Sequence, residues 1–229
     1  NKLLSWGYKE IIFTGVDITS YGNDLPGKPK LGSIIRRILD MQPNLKRIRF
    51  SSIDPAEIDE ELFNLFSYEK RVLPHIHLSV QAGNDLILKR MKRRHTRKNL
   101  ISLCNKLRKN RPEITIGADL IVGFPTESKE NFLDTLDCIK KCSFSNIHIF
   151  PFSPKENTPA SRMPQISNFE KSRRVKIVHT LSNRIQRKIM LQSLGIEKRI
   201  LFESEKISYT DDYLKISVNN LTQKKNYLS

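Results

Sequence analysis

The strongest constraint on the fold of this chain is an alternation of polar and apolar side chains that recurs in separate strand-like runs. It is clearest at residues 47–51, 75–81, 115–120 and 146–149. Successive side chains of a strand point to opposite faces, so each run has one apolar face and one hydrogen-bonding face. The segments between the runs are long enough for helices, which predicts a parallel sheet whose apolar face the helices cover.

The polar face of such a sheet points into a barrel or a crevice. Closed eight-stranded barrels fill this interior with layers of Val, Ile and Leu. Because this sequence places polar side chains there, we predict an α/β barrel whose lumen binds a polar ligand. An antiparallel sheet with one face in water is the alternative, but the intervening segments are too long for hairpins.

Strand and helix patterns alternate through most of the chain. The predicted strands lie at 10–14, 47–51, 75–80, 114–122 and 146–150. The predicted helices lie at 31–41, 59–67, 85–92, 97–110 and 128–141. A spacing of roughly 30 residues per unit is typical of repeated βα units.

The last part of the chain has a different pattern. A long basic helix is predicted over about 168–194, and Gly195 is a plausible helix stop. Strands are predicted at 199–203 and 213–218. The expected segments are a barrel at 1–165, its basic C-terminal helix at 166–196 and a small β module at 197–229. Since the chain has no initiator Met and starts almost directly at a strand, we expect a fragment of a longer protein.

The charge of the chain points to a polyanionic partner. The formal net charge is +16, from 40 basic and 24 acidic residues, which attracts polyanions at long range. Residues 89–98 form a dense basic run, and a second basic group opens the C-terminal helix. Such patches bind phosphate backbones. The candidate RNA-binding residues are Lys89, Arg90, Lys92, Arg93, Arg94, Arg97, Arg173 and Arg174. The alternative is a general lysine-rich surface, which the density of the run argues against.

The cysteines predict an intracellular chain without disulfides. Cys104, Cys138 and Cys142 give no disulfide framework, and no stretch is apolar enough for a signal peptide or a membrane span. We therefore expect a cytoplasmic protein with no membrane partner. Cys138 and Cys142 lie four residues apart on a predicted helix, where burial is the usual fate of such thiols.

One set of residues suggests a metal-dependent hydrolase as an alternative. His75 and His77 lie two apart on one strand face, a spacing that can chelate a metal, and Asp119 and His148 belong to neighbouring predicted strands. The histidines lie near the start of their strand, far from the end where ligands bind in parallel α/β folds. Barrel-lining histidines without an ion are therefore the preferred interpretation.

The carboxyl ends of the predicted strands are rich in small and hydroxylated residues, Gly and Pro. These ends are residues 14–17, 51–55, 79–83, 122–127 and 150–154. Such residues let a backbone approach a nucleotide-like cofactor closely. Ordinary turns would explain each segment alone, but they explain all of them together less well.

Taken in order, these segments resemble the radical S-adenosylmethionine (SAM) methylthiotransferases that modify tRNA. The matching segments are 12–22, 48–55, 77–85, 88–91, 119–127, 150–154 and 158–160, and the resemblance that they mark extends over nearly the whole chain. Thr14-Gly15-Val16 and Ser51-Ser52-Ile53-Asp54-Pro55 are most similar to the branch that acts on N6-threonylcarbamoyladenosine beside the anticodon.

This resemblance implies a partial (βα)6 radical SAM barrel that lacks its first strand and carries a short C-terminal β module. It also implies that a [4Fe-4S] cluster cleaves SAM to a 5'-deoxyadenosyl radical, which abstracts hydrogen from adenine C2 before sulfur and methyl are installed. The cofactor carries the hard chemistry and the barrel positions it. By motif position, the residues expected near SAM are Thr14, Gly15, Val16, Ser51, Ser52, Gln81, Asp119 and Phe152. The alternation of polar side chains supports Ser51, Gln81 and Asp119 independently.

The chain departs from the family in its cysteines. The family binds its radical-generating cluster through Cys-x3-Cys-x2-Cys and a second cluster through an N-terminal domain, and this sequence contains neither set. Iron in such clusters needs thiolates, so the isolated chain is expected to be inactive, with tRNA as the partner of the full-length enzyme. Residues 209–213 resemble the start of a tRNA-binding TRAM module. A non-catalytic RNA-binding remnant is the alternative, and the sequence names neither a sulfur donor nor an oligomeric state.

Overall fold

The computed structural model of the chain describes residues 2–202 and 207–217. The strands of the main domain are β1 (Glu10–Phe13), β2 (Arg47–Phe50), β3 (His75–Gln81), β4 (Thr115–Val122) and β5 (Asn146–Pro151). The helices are α1 (Lys2–Ser5), α2 (Leu31–Met41), α3 (Glu60–Tyr68), α4 (Asp85–Arg90), α5 (Arg97–Asn110), α6 (Lys129–Cys142) and α7 (Asn168–Gln192). The C-terminal strands are β6 (Ile200–Phe202), β7 (Ile207–Thr210) and β8 (Lys215–Ser217).

The main domain is a partial parallel barrel in which the strands follow chain order. β1 pairs with β2, and β3, β4 and β5 pair in sequence, all in parallel. An isolated parallel bridge between Ile53 and Leu78 connects the two sets. The predicted α/β class is confirmed by this parallel pairing, and the strands have the helix-length connections that parallel pairing requires.

The alternation that the sequence shows becomes the two faces of the barrel wall. In β3, Ile76, Leu78 and Val80 are buried in the core between strands and helices. The intervening residues, His75 and His77 among them, are half-buried and face the lumen. Burial of the aliphatic positions supplies the driving force that fixes the register, since a slip of one residue would reverse both faces.

Local capping residues define where several helices begin. The Ser128 side chain accepts a hydrogen bond from the Asn131 amide, and the Asn131 side chain accepts one from the Ser128 amide, which forms a capping box at α6. Thr96 caps α5 by accepting a hydrogen bond from the Asn99 amide. These caps satisfy amide groups that have no partner within the helix, so both helices start within a residue of their predicted positions.

The cysteines lie in the core, as predicted. Cys104 on α5 and Cys138 and Cys142 on α6 are buried, and the Cys138 and Cys142 sulfur atoms stand 4.0 Å apart. They pack among aliphatic side chains on the helix side of the sheet. None of the chain's thiols therefore lines the lumen.

The C-terminal strands form an antiparallel sheet in the order β6-β7-β8. The predicted strand at 213–218 is wrong at its start, because Tyr213 lies in the β7–β8 turn with φ of 63°. Strand β7 has no counterpart among the predicted elements. Residues 203–206 and 218–229 of the predicted β module lie outside the described residues. Among the described helices, none has the length and apolar character needed to cross a membrane.

Candidate functional site

A polar cavity of about 500 Å³ occupies the lumen of the partial barrel. Side chains from β1, β2, β3, β5, α7 and the β7–β8 turn line it. The polar and aromatic residues that line it include Arg49, Ser51, Ser52, His75, His77, Asn146, His148, Tyr209 and Tyr213. Side chains that can donate or accept hydrogen bonds replace the aliphatic layers of a filled barrel, which agrees with the prediction from the alternating polarity.

Asp119 on β4 is the centre of a hydrogen-bond cluster in this lumen. Its Oδ1 atom lies 2.9 Å from His77 Nε2 and 3.1 Å from His148 Nδ1. Its Oδ2 atom accepts a hydrogen bond of 2.8 Å from Ser52 Oγ. Burial pushes the pKa of Asp119 upward, but the hydrogen bonds from His77 and Ser52 outweigh it and leave the pKa below its ordinary value. The carboxylate is therefore ionised at neutral pH and points inward.

The two serines at the end of β2 differ in their hydrogen bonding. Ser52 Oγ is bound to Asp119, whereas Ser51 Oγ is buried without a partner among the described residues. A buried hydroxyl that lacks a partner is costly, and Ser51 lines the cavity. This hydroxyl is available to a polar ligand, which fits the expected position of Ser51 near SAM.

His75 lies deeper in the lumen than the Asp119 cluster and has its own partners. Its Nδ1 atom is 2.7 Å from Thr115 Oγ1, and its ring stacks on Tyr213 at 4.7 Å between centroids. Burial, together with the nearby charges of His77 and Arg49, lowers the pKa of His75 to about 3. His75 is therefore neutral, and it takes no part in the cluster around Asp119.

The C-terminal hairpin, which consists of β7, β8 and the turn between them, closes the base of the lumen through buried ion pairs. Glu10 of β1 pairs with Arg47 at 2.8 Å and with Arg49 at 2.9 Å. Arg47 also pairs with Asp211, and Arg49 donates to the Thr210 carbonyl oxygen at 2.9 Å. Because Glu10 and Asp211 supply carboxylates to the two guanidinium groups, these charges are tolerated in the interior, and Asp211 also pairs with the exposed Arg199 at 2.7 Å.

The other expected cofactor residues lie at the carboxyl ends of the strands. Thr14, Gly15 and Val16 form an exposed loop after β1. Gln81 ends β3 in the left-handed region with φ of 67°, next to a register shift between Leu78 and Gln81. The structure thus places these residues at one edge of the sheet. Of the expected cofactor residues, Ser51 and Ser52 line the cavity, and Asp119 is bonded to the lining residues Ser52, His77 and His148.

Phe152 packs at the same edge but in a separate apolar cluster. Its ring meets Phe124 edge-on at 5.1 Å between centroids, beside the buried Ala82. Lys171 donates to the Phe152 carbonyl oxygen at 2.9 Å. Phe152 follows β5 directly, so it stands near the mouth of the barrel and outside the cavity lining.

The basic run at residues 89–98 lies along this mouth. Three arginines bind acceptors on neighbouring strand-end loops: Arg90 with Thr126, Arg93 with Asp54, and Arg94 with Glu57. Lys89 and Lys92 are exposed and form no ion pair within the described part of the chain. The rim is therefore basic, with its arginines held in place by the loops that frame the lumen.

Arg173 and Arg174, which are adjacent in the candidate RNA-binding set, differ sharply in solvent exposure. Arg173 is exposed and pairs with Glu170 at 2.6 Å. Arg174 is 5% exposed and donates to Glu127 at 2.5 Å. Since Glu127 is completely buried, Arg174 is part of the interior, and we remove it from the residues expected to contact RNA. Arg97 likewise pairs with Asp137 and Asp134 on α6.

Several lining residues had not been singled out from the sequence. Arg49 lies in one of the alternating strand runs, and its place in the alternation was the available signal. Asn146 had the same signal, since it opens the alternating run at 146–149. Tyr209 and Tyr213 were noted only in the TRAM-like segment 209–213, because their place in the lumen depends on the docking of the C-terminal strands. Tyr213 stacks on Tyr209 at 4.8 Å and lies beneath the guanidinium of Arg49 at 5.0 Å.

Comparison with known proteins agrees with this geometry. The model of the radical SAM superfamily matches residues 1–139 of the chain. The chain belongs to the radical SAM superfamily. This radical SAM chain is therefore part of an enzyme family, and the expected family resemblance is confirmed.

Among curated relatives, threonylcarbamoyladenosine tRNA methylthiotransferases are prominent. The protein of that name from Rickettsia prowazekii is 45% identical over 213 residues, covering 93% of this radical SAM chain and 51% of the relative. The Thermotoga maritima relative is 35% identical, with 88% and 46% covered. A tRNA-2-methylthio-N(6)-dimethylallyladenosine synthase from Shouchella clausii is 36% identical, with 90% and 39% covered. The chain spans about half the length of the first two relatives.

Solved structures support the fold of the radical SAM chain. Coproporphyrinogen III oxidase (HemN) from Escherichia coli aligns with a TM-score of 0.56 at 17% identity, covering 77% of this chain and 40% of that one. The archaeal Elp3 of Methanocaldococcus infernus aligns with a TM-score of 0.54 at 14% identity, covering 91% and 67%. At such low identity these likenesses concern the fold alone, and they confirm the partial barrel.

Proposed function

We propose that this chain is the barrel portion of a tRNA-modifying radical SAM methylthiotransferase that adds a methylthio group to C2 of N6-threonylcarbamoyladenosine next to the anticodon. The observation that carries the proposal is the 45% identity over 93% of the chain to a relative with that name. The polar lumen at the centre of a parallel barrel supports it, because such an enclosure can hold a nucleoside-like ligand.

The residues of the lumen fit SAM as a ligand. When bound, SAM would supply the radical chemistry that side chains cannot provide. Ser51 Oγ, buried without a partner among the described residues, and the adjacent Ser52 would bind its polar groups. The exposed strand-end residues Thr14, Gly15 and Val16 would meet the ligand at the mouth, and Gln81 and Phe152 would border it there.

The residues present do not fit a [4Fe-4S] cluster. Cys104, Cys138 and Cys142 are buried in the helix-side core, away from the cavity. We therefore derive no step through a cluster from these residues, and we expect no methylthiotransferase activity from the isolated chain. In the proposed enzyme this chain orients the ligand in the lumen, and its hairpin excludes water from the base.

The basic rim is the proposed contact with tRNA. Lys89, Arg90, Lys92, Arg93 and Arg94 surround the mouth through which a nucleoside would reach the lumen. Lysine and arginine at such a surface bind phosphates and position RNA without reading its sequence. The proposed cellular location is the cytoplasm, where tRNA is modified.

Deleting the gene that encodes this chain tests the proposed function. Mass spectrometry of tRNA nucleosides should show loss of the 2-methylthio derivative of N6-threonylcarbamoyladenosine and accumulation of the unmodified nucleoside. The methylthio derivative of isopentenyladenosine serves as the internal control and should persist. A pattern in which only the isopentenyladenosine product disappears would assign the chain to the other tRNA branch, and an unchanged nucleoside profile would refute the proposal.

A non-catalytic RNA-binding protein is the second candidate, favoured by the net charge of +16 and by thiols that do not line the lumen. It predicts that the purified chain binds tRNA, while deletion of the gene leaves the tRNA nucleosides unchanged. The same gene deletion therefore separates the two candidates.

A further inference from the structure

Three side chains from three neighbouring strands converge in the lumen, and each carries an atom that can bind a metal ion. We name His77 of β3, Asp119 of β4 and His148 of β5 the lumen triad. One ligand atom from each lies within 4.8 Å of the others. The two imidazole nitrogens approach the same carboxylate oxygen, at 2.9 Å and 3.1 Å. The geometry is that of two histidines and one carboxylate facing a common point.

The two nitrogen-to-oxygen separations are close to those of a zinc site. Ligands that stand about 2.0–2.1 Å from a tetrahedral zinc ion stand about 3.3 Å from one another. The nitrogen-to-oxygen distances in the lumen triad therefore need to widen by only a few tenths of an ångström. Small side-chain rotations of the half-buried His77 and Asp119 and of the exposed His148 are enough for such a change.

Neighbouring groups hold each member of the lumen triad in this orientation. Ser52 Oγ donates to the second oxygen of Asp119 at 2.8 Å and leaves the first oxygen directed at the histidines. The ring of His77 lies against Gly117, where an added Cβ would stand 2.4 Å from His77 Nδ1. Asn146 lies 3.4 Å from the outer nitrogen of His148. Metal sites commonly have such supporting partners around their ligands.

The lumen triad also leaves room for an exchangeable ligand. His77, His148 and Ser52 line the cavity of about 500 Å³, so the point between the three side chains opens into it. Three protein ligands with an open position are typical of metal sites that bind a further ligand. Two histidines with one carboxylate suit divalent first-row ions such as Zn²⁺, Co²⁺ and Fe²⁺.

We propose that His77, Asp119 and His148 bind one divalent transition-metal ion, whose open position faces the lumen. The ion would use the inward oxygen of Asp119 and the two nitrogens that now approach it. This site is separate from any iron–sulfur cluster, since its ligands are nitrogen and oxygen atoms. The inference does not rest on the proposed function, and its test involves no measurement of methylthio transfer.

The test uses the 229-residue chain after removal of metals with a chelator. Calorimetric titration with Zn²⁺ should show one strong site per chain, and titration with Co²⁺ should give the visible absorption of a four- or five-coordinate ion. Asp119→Asn and His148→Ala should each weaken Zn²⁺ binding by more than about 100-fold, because loss of even a supporting partner costs about 10- to 100-fold. Ser52→Ala should weaken Zn²⁺ binding by about 10- to 100-fold, because Ser52 only supports the ligand Asp119.

Two histidines outside the lumen triad provide matched controls. His179 is exposed on α7, and His75 lies two residues before His77 but is bound to Thr115. His179→Ala and His75→Gln should retain the Zn²⁺ affinity of the parent chain. Because His148 is exposed, H148A should keep its fold, which far-ultraviolet circular dichroism checks.

Three results would overturn the proposal. The first is that the parent chain binds Zn²⁺ no more strongly than D119N does. The second is equal binding by H148A and the parent chain. The third is a cobalt spectrum with thiolate charge-transfer bands, which would place the ion at the buried cysteines. If the lumen triad is only a hydrogen-bonded cluster, the first result is the one expected.

Discussion

Gly117 shows how one missing side chain arranges the lumen. It lies on β4 opposite His77, and an added Cβ would stand 2.4 Å from His77 Nδ1. Real Cβ atoms do not approach other atoms so closely. The imidazole can therefore lie flat against the strand and reach Asp119 only because residue 117 is glycine.

Gly117→Ala should displace the His77 ring and destabilise the chain by about 1–3 kcal/mol, the usual cost of overpacking. Urea unfolding at neutral pH measures this change. Gly15→Ala is the control, because its nearest neighbours would lie at an ordinary 3.5 Å. Adding His77→Ala to Gly117→Ala should recover part of the loss; strictly additive effects would show that the clash with His77 is not the cause.

His95 is a buried residue within a basic surface run. It is 4% exposed, and its Nε2 atom lies 3.2 Å from the Val80 carbonyl oxygen. Burial lowers the pKa of His95, so the folded state keeps the ring neutral at pH values where the unfolded chain protonates it. Stability from this residue is complete above the unfolded-state value of about 6.5 and is lost as the pH falls below it.

His95→Gln should therefore reduce the acid sensitivity of stability. Below about pH 6.5 the parent chain should lose up to about 1.4 kcal/mol per pH unit through this residue, and the variant should lack that contribution. Urea unfolding at a series of pH values between neutral and mildly acidic gives the slope. His179→Gln, at an exposed position on α7, is the matched control. Identical slopes for H95Q and the parent would contradict the assignment.

At the scale of elements, a buried ion pair links α7 to the segment that follows β4. Arg174 donates to the Glu127 side chain at 2.5 Å and to its carbonyl oxygen at 2.9 Å. Glu127 also accepts a hydrogen bond of 2.8 Å from the Gly123 amide. Burial raises the pKa of Glu127, while the amide and the guanidinium oppose this shift. The ion pair with Arg174 thus stabilises the buried carboxylate of Glu127 in its charged form.

Arg174→Ala should destabilise the chain by about 3–5 kcal/mol, because it leaves the carboxylate of Glu127 buried without its partner. Arg173→Ala is a close control, because it removes an exposed arginine one position away and should leave the stability nearly unchanged. Thermal or urea unfolding compares the two. Equal losses in R173A and R174A would mean that the buried pair does not anchor α7.

The elements differ in how far the sequence could predict them. Strand β3 and helix α6 follow from local information, since alternation of side chains and the Ser128 cap are both encoded within a few residues. Strand β7 and the turn at Tyr213 were missed, because short strands without strong alternation depend on partners elsewhere. Arg173 and Arg174 look alike in sequence, yet a rotation of about 100° per helical residue exposes one and buries the other. Only the packing of α7 decides between them.

At the scale of the whole molecule, the basic residues are arranged unevenly around the barrel. Lys89 and Lys92 follow β3 and stand at the mouth of the lumen, while Lys109 ends α5 near the opposite end of the strands. A tRNA that places a nucleoside in the lumen would contact the first two lysines and not the third. Binding of phosphates by lysine releases counterions, which makes the affinity depend on salt.

Replacing Lys89 and Lys92 together with Gln should weaken tRNA binding and reduce the slope of log affinity against log salt. The expected reduction is about 1 for each phosphate that the protein no longer neutralises. Lys109→Gln should leave both the affinity and the slope nearly unchanged. Filter binding or fluorescence anisotropy over a range of salt concentrations measures them. A fall in affinity that is the same for both variants would indicate general attraction by net charge rather than a binding face at the mouth.

The hairpin beneath the lumen has a consequence for how the protein is made. Arg47 and its partner Asp211 are separated by 164 positions in the chain. During synthesis, Arg47 and Arg49 emerge from the ribosome with only Glu10 to neutralise them. Contacts between such distant residues form late. Until translation has passed residue 211, the nascent chain therefore has one of the two carboxylates that pair with Arg47 and Arg49 in the described structure.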